Sequence, residues 1–315
     1  MISVALCTYN GEKYIRQQLD SILSQSMFVD EIVICDDCSK DSTCTILESY
    51  AYRFPQIRLI KNEKNVGFRK NFENALIECK GDFIFFSDQD DLWHGDKVKK
   101  TVDYLNGSGN YGVFSDGILI DQDNNEMGLT LFSYNMLSPY ISKGLLDNYT
   151  FEILCLKDNF VTGAALAITK EAKDMVIPFK TSQCILHDMW IALRLSSCHK
   201  LGYIDETLIS YRIHPNQECG FDLKRKRSVD PLLNCFIGSG SCSYLLRRRR
   251  NCLGVMFNCR FDLKERRILF DTYKKLYFRC LCDDIWTKVK DLFNFYMMEL
   301  YIKVRLVTLF LFKKK

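Results

Sequence analysis

The sequence predicts an α/β fold: a doubly wound, mostly parallel sheet over residues 1–220, then a basic, mainly helical extension over 221–315. Three observations carry this. From Ile2 to Ser87, short apolar runs alternate with segments of helical period, the pattern of consecutive β–α–β units. The last of these runs, Asp82 to Ser87, is apolar and aromatic on both alternating faces, as expected of a strand buried between two helical layers. The net charge of +4 also conceals two parts of opposite sign. Residues 221–315 hold 22 Lys and Arg against 9 Asp and Glu, whereas the first 220 hold 21 against 30.

Ile2 to Thr8 reads as a short buried strand, and Tyr9-Asn10-Gly11 as the turn after it. The helix that follows sets Ile15, Leu19, Ile22 and Leu23 on one face. Glu31 to Cys35 is the second strand, and Asp41 and Ser42 are N-cap candidates for a helix through Tyr50. A third strand covers Ile57 to Ile60, and Asn65-Val66-Gly67 turns into a helix from Phe68 to Cys79. After the strand that ends at Ser87 come a helix from Asp96 to Leu105 and a strand from Tyr111 to Ser115. Residues 121–150 are polar and rich in asparagine, and read as a mobile loop over the site. Ala164 to Thr169 is a further strand, and His187-Asp188-Met189-Trp190 opens a helix.

At 315 residues the chain is long for one domain and short for three, and its 47% apolar fraction supports a sizeable core. Fifteen cysteines are an odd count with scattered spacing, and no signal peptide is read. Together these predict reduced thiols in a cytoplasmic protein instead of a disulfide framework. Cys35 and Cys38 have half-site spacing for zinc, but Asp36 and Asp37 lie between them and no second pair matches. The Gly-x-Gly-x-x-Gly fingerprint is absent, which speaks against an NAD enzyme.

The chemistry concentrates where strands end. Asp88, Asp90 and Asp91 follow directly on the fourth strand, at the edge where open parallel sheets bind ligands. In extended chain Asp88 and Asp90 face the same way and can address one cation together. Hard oxygen ligands with open positions suit Mg²⁺ or Mn²⁺ shared with substrate phosphates. The alternative is a solvated acidic turn that caps the next helix. A second acidic strand end, Asp36-Asp37, points to a nucleotide: one carboxylate accepts a base N–H while the other pair holds the metal on its phosphates. Gly163 permits a close backbone approach to a sugar, with packing as the other explanation. Asp188 taken alone reads as a helix cap.

Thr8-Tyr9-Asn10-Gly11, Asp36-Asp37-x-Ser-x-Asp, Asn65-x-Gly67 and Ser87-Asp88-Gln89-Asp90-Asp91-x-Trp93, in this order and spacing, resemble the family 2 glycosyltransferases with a GT-A fold. The resemblance covers roughly residues 1–220. It implies that Thr8, Tyr9 and Asp37 lie around the nucleotide base, with Asn10, Asp36, Gly163 and His187 completing the donor site. Asp88 and Asp90 become the Asp-x-Asp metal site, Asp90 being the direct ligand, and Lys70-Asn71 fall near the diphosphate. Asp188 becomes the catalytic base. The His187-Asp188-x-Trp190 form is similar to the rhamnosyltransferase branch that builds cell-surface polysaccharides, as is Tyr211-Arg212-Ile213-His214. His214 is a candidate metal or diphosphate contact, or a structural histidine. Gln217 stands where related sequences often place Asn, which leaves the contacts there open. The implied activity is inverting transfer of a sugar, from dTDP-rhamnose or a UDP-hexose, to a hydroxyl of a growing glycan or lipid-linked oligosaccharide.

Two other classes are weighed. A nucleotidyltransferase should carry a Gly/Arg-rich phosphate loop near its start, and Thr8 to Gly11 is not one. A non-catalytic nucleotide-sugar-binding module needs only the first half of the site, yet Asp188 is present. Beyond Phe221 the resemblance ends. Leu292 to Phe312 is apolar-rich, but Glu299, Lys303 and Arg305 interrupt it before any run reaches the ~18 apolar residues of a membrane span. With Lys224–Arg227, Arg247–Arg250 and Lys313–Lys315, this predicts peripheral attachment to the inner face of the plasma membrane. The arginine runs come with no nucleic-acid-binding module, so nucleic acid is not an expected partner.

Overall fold

The computed structural model describes residues 1–218, apart from 158 and 180–184, together with 230, 232, 233, 236, 267 and 271. The expectations for the basic runs and for Leu292 to Phe312 lie outside the described residues.

The first four strands and the three helices between them form as expected. Strands β1 (Ile2–Thr8), β2 (Glu31–Asp36), β3 (Ile57–Lys61) and β4 (Phe83–Ser87) are joined by helices α1 (Ile15–Leu23), α2 (Thr43–Arg53) and α3 (Phe68–Glu78). They lie parallel in the order β3-β2-β1-β4. β1 and β2 are buried along their whole length, which explains their unbroken apolar character. The apolar stripe of α1 buries Ile15, Leu19 and Ile22 as the periodicity requires, with Leu23 partly buried beside them. At the start of α2 the capping work falls to Asp41: its Oδ1 accepts from Thr43 N at 3.0 Å, whereas the Ser42 side chain makes no cap bond.

Beyond β4 the sheet is mixed. The short β5 (Leu92–Trp93) is followed by α4 (Lys97–Ser108), β6 (Gly112–Ile120), β8 (Leu166–Thr169), α8 (Lys170–Val176), α9 (His187–Ser196) and β9 (Leu201–Arg212). β8 runs antiparallel to both β4 and β6, β9 parallel to β6, and β5 antiparallel to β9. β8 reverses because the chain enters it from the carboxyl edge of the sheet, through the short 3₁₀ turn Gly163–Ala165, and not by a helical crossover.

Residues 121–150 are not a loose loop, and that expectation is corrected. They form β7 (Glu126–Thr130), α5 (Leu131–Tyr134), α6 (Ser138–Ser142) and the start of α7 (Leu145–Leu156). Leu131, Phe132, Leu137 and Tyr140 are all at most 2% exposed and join the main core, so the segment is anchored by burial. Further along, Lys157 Nζ donates to Asn135 O and to Asp230 Oδ2, a nearly buried pair, and Leu232 and Phe236 are buried in the same core. Asp230, Leu232, Leu233 and Phe236 thus pack against the preceding part of the chain.

Candidate active site

The ladder registers decide what meets at the carboxyl edge. Thr8 lies opposite Asp36 and Leu6 opposite Ser87, so Thr8, Asp36-Asp37 and Asp88 emerge side by side. Ala167 lies opposite Phe85, and β8 runs the other way, so Thr162 and Gly163 arrive at the same edge. The result is an open cleft of about 1070 Å³ lined by Thr8, Tyr9, Asn10, Asp37, Lys70, Asn71, Asp88, Asp90, Gly163, His187, Asp188 and His214. Of the expected site residues, Asp36 alone does not line it. It is fully buried and accepts from Thr8 Oγ1 at 2.8 Å and Ser39 Oγ at 2.6 Å, so it supports the site from behind.

After β2, Asp37 accepts from Asn62 Nδ2 at 2.9 Å and from the Val66 and Gly67 amides at 2.8 Å, which folds the Asn65–Gly67 turn onto it. Gly67 has φ +83°, a conformation that favours glycine. Asn10, also left-handed at φ 48°, accepts from Lys40 N at 2.8 Å and pins the loop after β2. Gln89 clasps the Tyr9 backbone from both sides, accepting from its N–H at 2.8 Å and donating to its carbonyl at 3.0 Å. A Cβ on Gly11 would lie 2.2 Å from Gln89 Oε1, so the clasp requires glycine there. The Tyr9 side chain stays 40% exposed, open to a stacking partner.

Lys70 reaches the cleft while paired with Glu73 at 2.7 Å. Asn71 is a brace: 1% exposed, it donates to Cys35 O at 2.7 Å and accepts from Asn62 at 2.8 Å. Its amide ties α3 to β2, and of the pair Lys70 is the one whose charged end stays exposed at the cleft.

The acidic end is built by β5 and β9. Leu92 lies opposite Ser210 in an antiparallel ladder, which carries Asp91 and Asp90 alongside Tyr211 and Arg212. Arg212, fully buried, donates from its backbone to Asp91 Oδ1 at 2.9 Å and from Nε to Asp90 O at 2.7 Å; its guanidinium stacks on Tyr14 at 4.5 Å. His214 Nδ1 accepts from Asn216 N at 3.3 Å, so Nε2 carries the proton and donates to Asp90 Oδ2 at 2.8 Å. Gln217 settles the local contacts by accepting from His214 N and donating to Arg212 O.

Burial, with Asp90 and Asp188 adding like charge, pushes the Asp88 carboxyl up to about 8. Burial and the like charges of Asp90 and Asp88 hold Asp91 well above the carboxylate range. Behind them lies Lys97, 1% exposed, donating to Ala164 O at 2.6 Å; burial pulls its ammonium down to about 7 against the pull of Asp91 and Asp88.

Among the described residues no three His, Cys, Asp or Glu side chains form a cage for a metal ion. The donor set fits a hard divalent cation of the kind held by one or two carboxylates that completes its shell with water and substrate phosphates. Asp90 and Asp88 are the residues that would supply those oxygens, and a doubly charged cation would relieve the like charge between them.

Across the cleft, α9 presents His187 and Asp188 in its first turn. Burial pushes Asp188 up to about 6, opposed by hydrogen bonds from Met189 N, Gly163 N and Asn159. His187 stacks on Phe72 at 4.2 Å, and burial holds its imidazole down to about 3, so it is neutral. A Cβ on Gly163 would lie 2.9 Å from His187 Nε2, which gives the packing explanation of that glycine its physical basis. Trp190 is 2% exposed and donates to Val176 O at 2.8 Å, so it anchors α9.

The motifs single out the acids but give no role to Lys97, Glu73 or Asn159. Nothing in the spacing separates these from solvated side chains. Arg212 was visible only as a member of a motif.

The comparisons give this fold and this cleft their class. Residues 3–175 match the profile of "Glycosyl transferase family 2", and the chain belongs to that family. It is a glycosyltransferase. The chain is 30% identical over 239 residues to the dTDP-rhamnosyl transferase RfbG of Shigella flexneri, covering 70% of this chain and 75% of that one. Some other relatives match over shorter spans, such as the putative glycosyltransferase EpsE of Bacillus subtilis, 34% identical over 38% of this chain and 43% of that one. Two solved structures share the fold. One is Staphylococcus aureus TarS 1-349 in complex with UDP: TM-score 0.51, 17% identity, 87% of this chain and 79% of that one. The other is the mannosyltransferase PcManGT of Pyrobaculum calidifontis in complex with GDP-Man and Mn²⁺: TM-score 0.50, 15% identity, 98% and 82%.

Proposed function

We propose that this protein is an inverting, divalent-cation-dependent glycosyltransferase that moves rhamnose from dTDP-rhamnose to a hydroxyl of a growing cell-surface polysaccharide or lipid-linked glycan. The observation that carries the reading is the meeting of Asp88 and Asp90 with Asp188, about a hundred residues later in sequence, in one cleft that Tyr9 and Asp37 also line.

Tyr9 and Asp37 hold the nucleobase, by stacking and by accepting a base N–H. Lys70 pairs with the diphosphate. Asp90 and Asp88 hold the cation, with His214 orienting Asp90. Mn²⁺ or Mg²⁺, when bound there, supplies Lewis-acid neutralisation of the charge that develops on the leaving nucleoside diphosphate. Asp188 takes the proton of the acceptor hydroxyl as its oxygen attacks the anomeric carbon opposite the leaving group. One in-line displacement inverts the centre and needs no enzyme nucleophile.

Rhamnose is favoured by the His187-Asp188-x-Trp190 motif and by the likeness to a dTDP-rhamnosyl transferase. A UDP-hexose donor is the second reading, favoured by the UDP complex of TarS, which shares the fold. A screen of donor hydrolysis across nucleotide sugars with Mn²⁺ separates them. Fastest release from dTDP-rhamnose is the expected result; fastest release from a UDP-sugar would replace rhamnose and leave fold and mechanism in place.

A further inference from the structure

Asp188 does not sit in the cleft on helix geometry alone. Its Oδ1 accepts from Met189 N at 2.6 Å and from Asn159 Nδ2 at 3.0 Å. The Asn159 amide is itself fixed, because its Oδ1 accepts from Val161 N at 3.1 Å. With the oxygen end committed to Val161, the nitrogen end has to face Asp188, and the amide cannot rotate to offer it an acceptor. Val161 and Phe160 are at most 3% exposed, so the segment carrying this amide is anchored in the core.

We propose that Asn159 is a positioning residue for the catalytic base: it fixes the rotamer of Asp188 and holds its carboxylate ionised, so that the oxygen it does not bond takes the acceptor proton. This rests on the reading of Asp188 as the base. A neutral amide N–H donated to a carboxylate favours the charged form, the direction opposite to burial. The other groups that bear on Asp188 cannot take this part. Asp88, at the end of β4, adds like charge; Tyr211, on β9, is held well above its ordinary value and stays neutral; His187, next in the chain, is neutral. Beside the backbone amides of Met189, Gly163 and Asp188 itself, Asn159 is the side-chain donor that opposes the cost of burying Asp188.

The test is the pH dependence of nucleotide-sugar hydrolysis, with dTDP-rhamnose or whichever donor the screen selects, Mn²⁺, and water in the place of the acceptor. It compares the unmodified protein with Asn159→Ala, Asn159→Asp and Asp188→Asn. Asn159→Ala should move the midpoint of kcat/KM up by about one unit, so that rates at acid pH fall about tenfold, while nucleotide affinity stays within about twofold. Asn159→Asp is nearly isosteric and keeps the fold if the alanine variant does not; it places a second carboxylate against Asp188 and should raise the midpoint further. Midpoints that stay in place in both variants, while Asp188→Asn still abolishes hydrolysis, would overturn the role of Asn159 and leave the base intact. Full hydrolysis by Asp188→Asn would overturn the base assignment, and this inference with it.

Discussion

A carboxylate that has to accept a proton from a hydroxyl works best with a pKa near the working pH, and burial has moved Asp188 up to about 6. Below that value the group is protonated and cannot act, so turnover should rise with pH through about 6 and level off above it. Asp188→Asn keeps the size and loses the proton acceptor. It should lower turnover by ~10²–10⁴-fold with nucleotide affinity nearly unchanged; a loss below tenfold would make Asp188 only the first-turn acid of α9. Asp188, Asp88 and Asp90 were legible in the sequence through the motifs around them. Which of Asp36 and Asp37 faces the ligand was not, because neighbouring residues at a strand end point opposite ways and the partner across the ladder decides. Thr8 captures Asp36, and Asp37 is left at the cleft. Lys97 was hidden for a different reason: a lysine at the start of an amphipathic helix looks solvated until tertiary contacts bury it.

At the level of elements, the first four β–α units were readable because each buries a regular face. Residues 121–150 were not, because their apolar side chains are shared among three short helices and a strand, and no single period spans them. Their polar residues serve the turns: Asn124 adopts φ 70° and accepts from Arg212 Nη1 at 2.6 Å. The turn after β1 makes a sharper prediction. Gly11→Ala would drive a Cβ into Gln89 and break the clasp on the Tyr9 backbone. Since the Tyr9 ring is exposed at the nucleotide end and the turn carries little of the core, nucleotide affinity should fall at least about tenfold while the melting temperature moves by only a few degrees. Unchanged affinity by titration calorimetry would remove Tyr9 from the nucleotide site.

For the whole molecule, charge is divided along the sequence between residues 1–220, rich in carboxylates, and the basic stretch 221–315. Residues 3–175 match the family profile, and no helix among the described residues is long and apolar enough to cross a membrane. If the basic region meets anionic lipid, replacing Arg247–Arg250 and Lys313–Lys315 with Gln should lower co-sedimentation with anionic liposomes and leave neutral ones unaffected. The unmodified protein should bind less tightly as salt shortens the Debye length from ~10 Å at 0.1 M to ~3 Å at 1 M. Equal binding of the unmodified protein to both kinds of vesicle would show that charge does not direct it. The central claim, a nucleotide sugar held through a cation at Asp88 and Asp90, is tested most directly by calorimetric titration of dTDP-rhamnose and a UDP-sugar into the protein with Mn²⁺, with EDTA, and into Asp90→Ala. Mn²⁺-dependent binding of one donor, lost in EDTA and in Asp90→Ala, is the predicted result; donor binding of equal strength in all three conditions would contradict it.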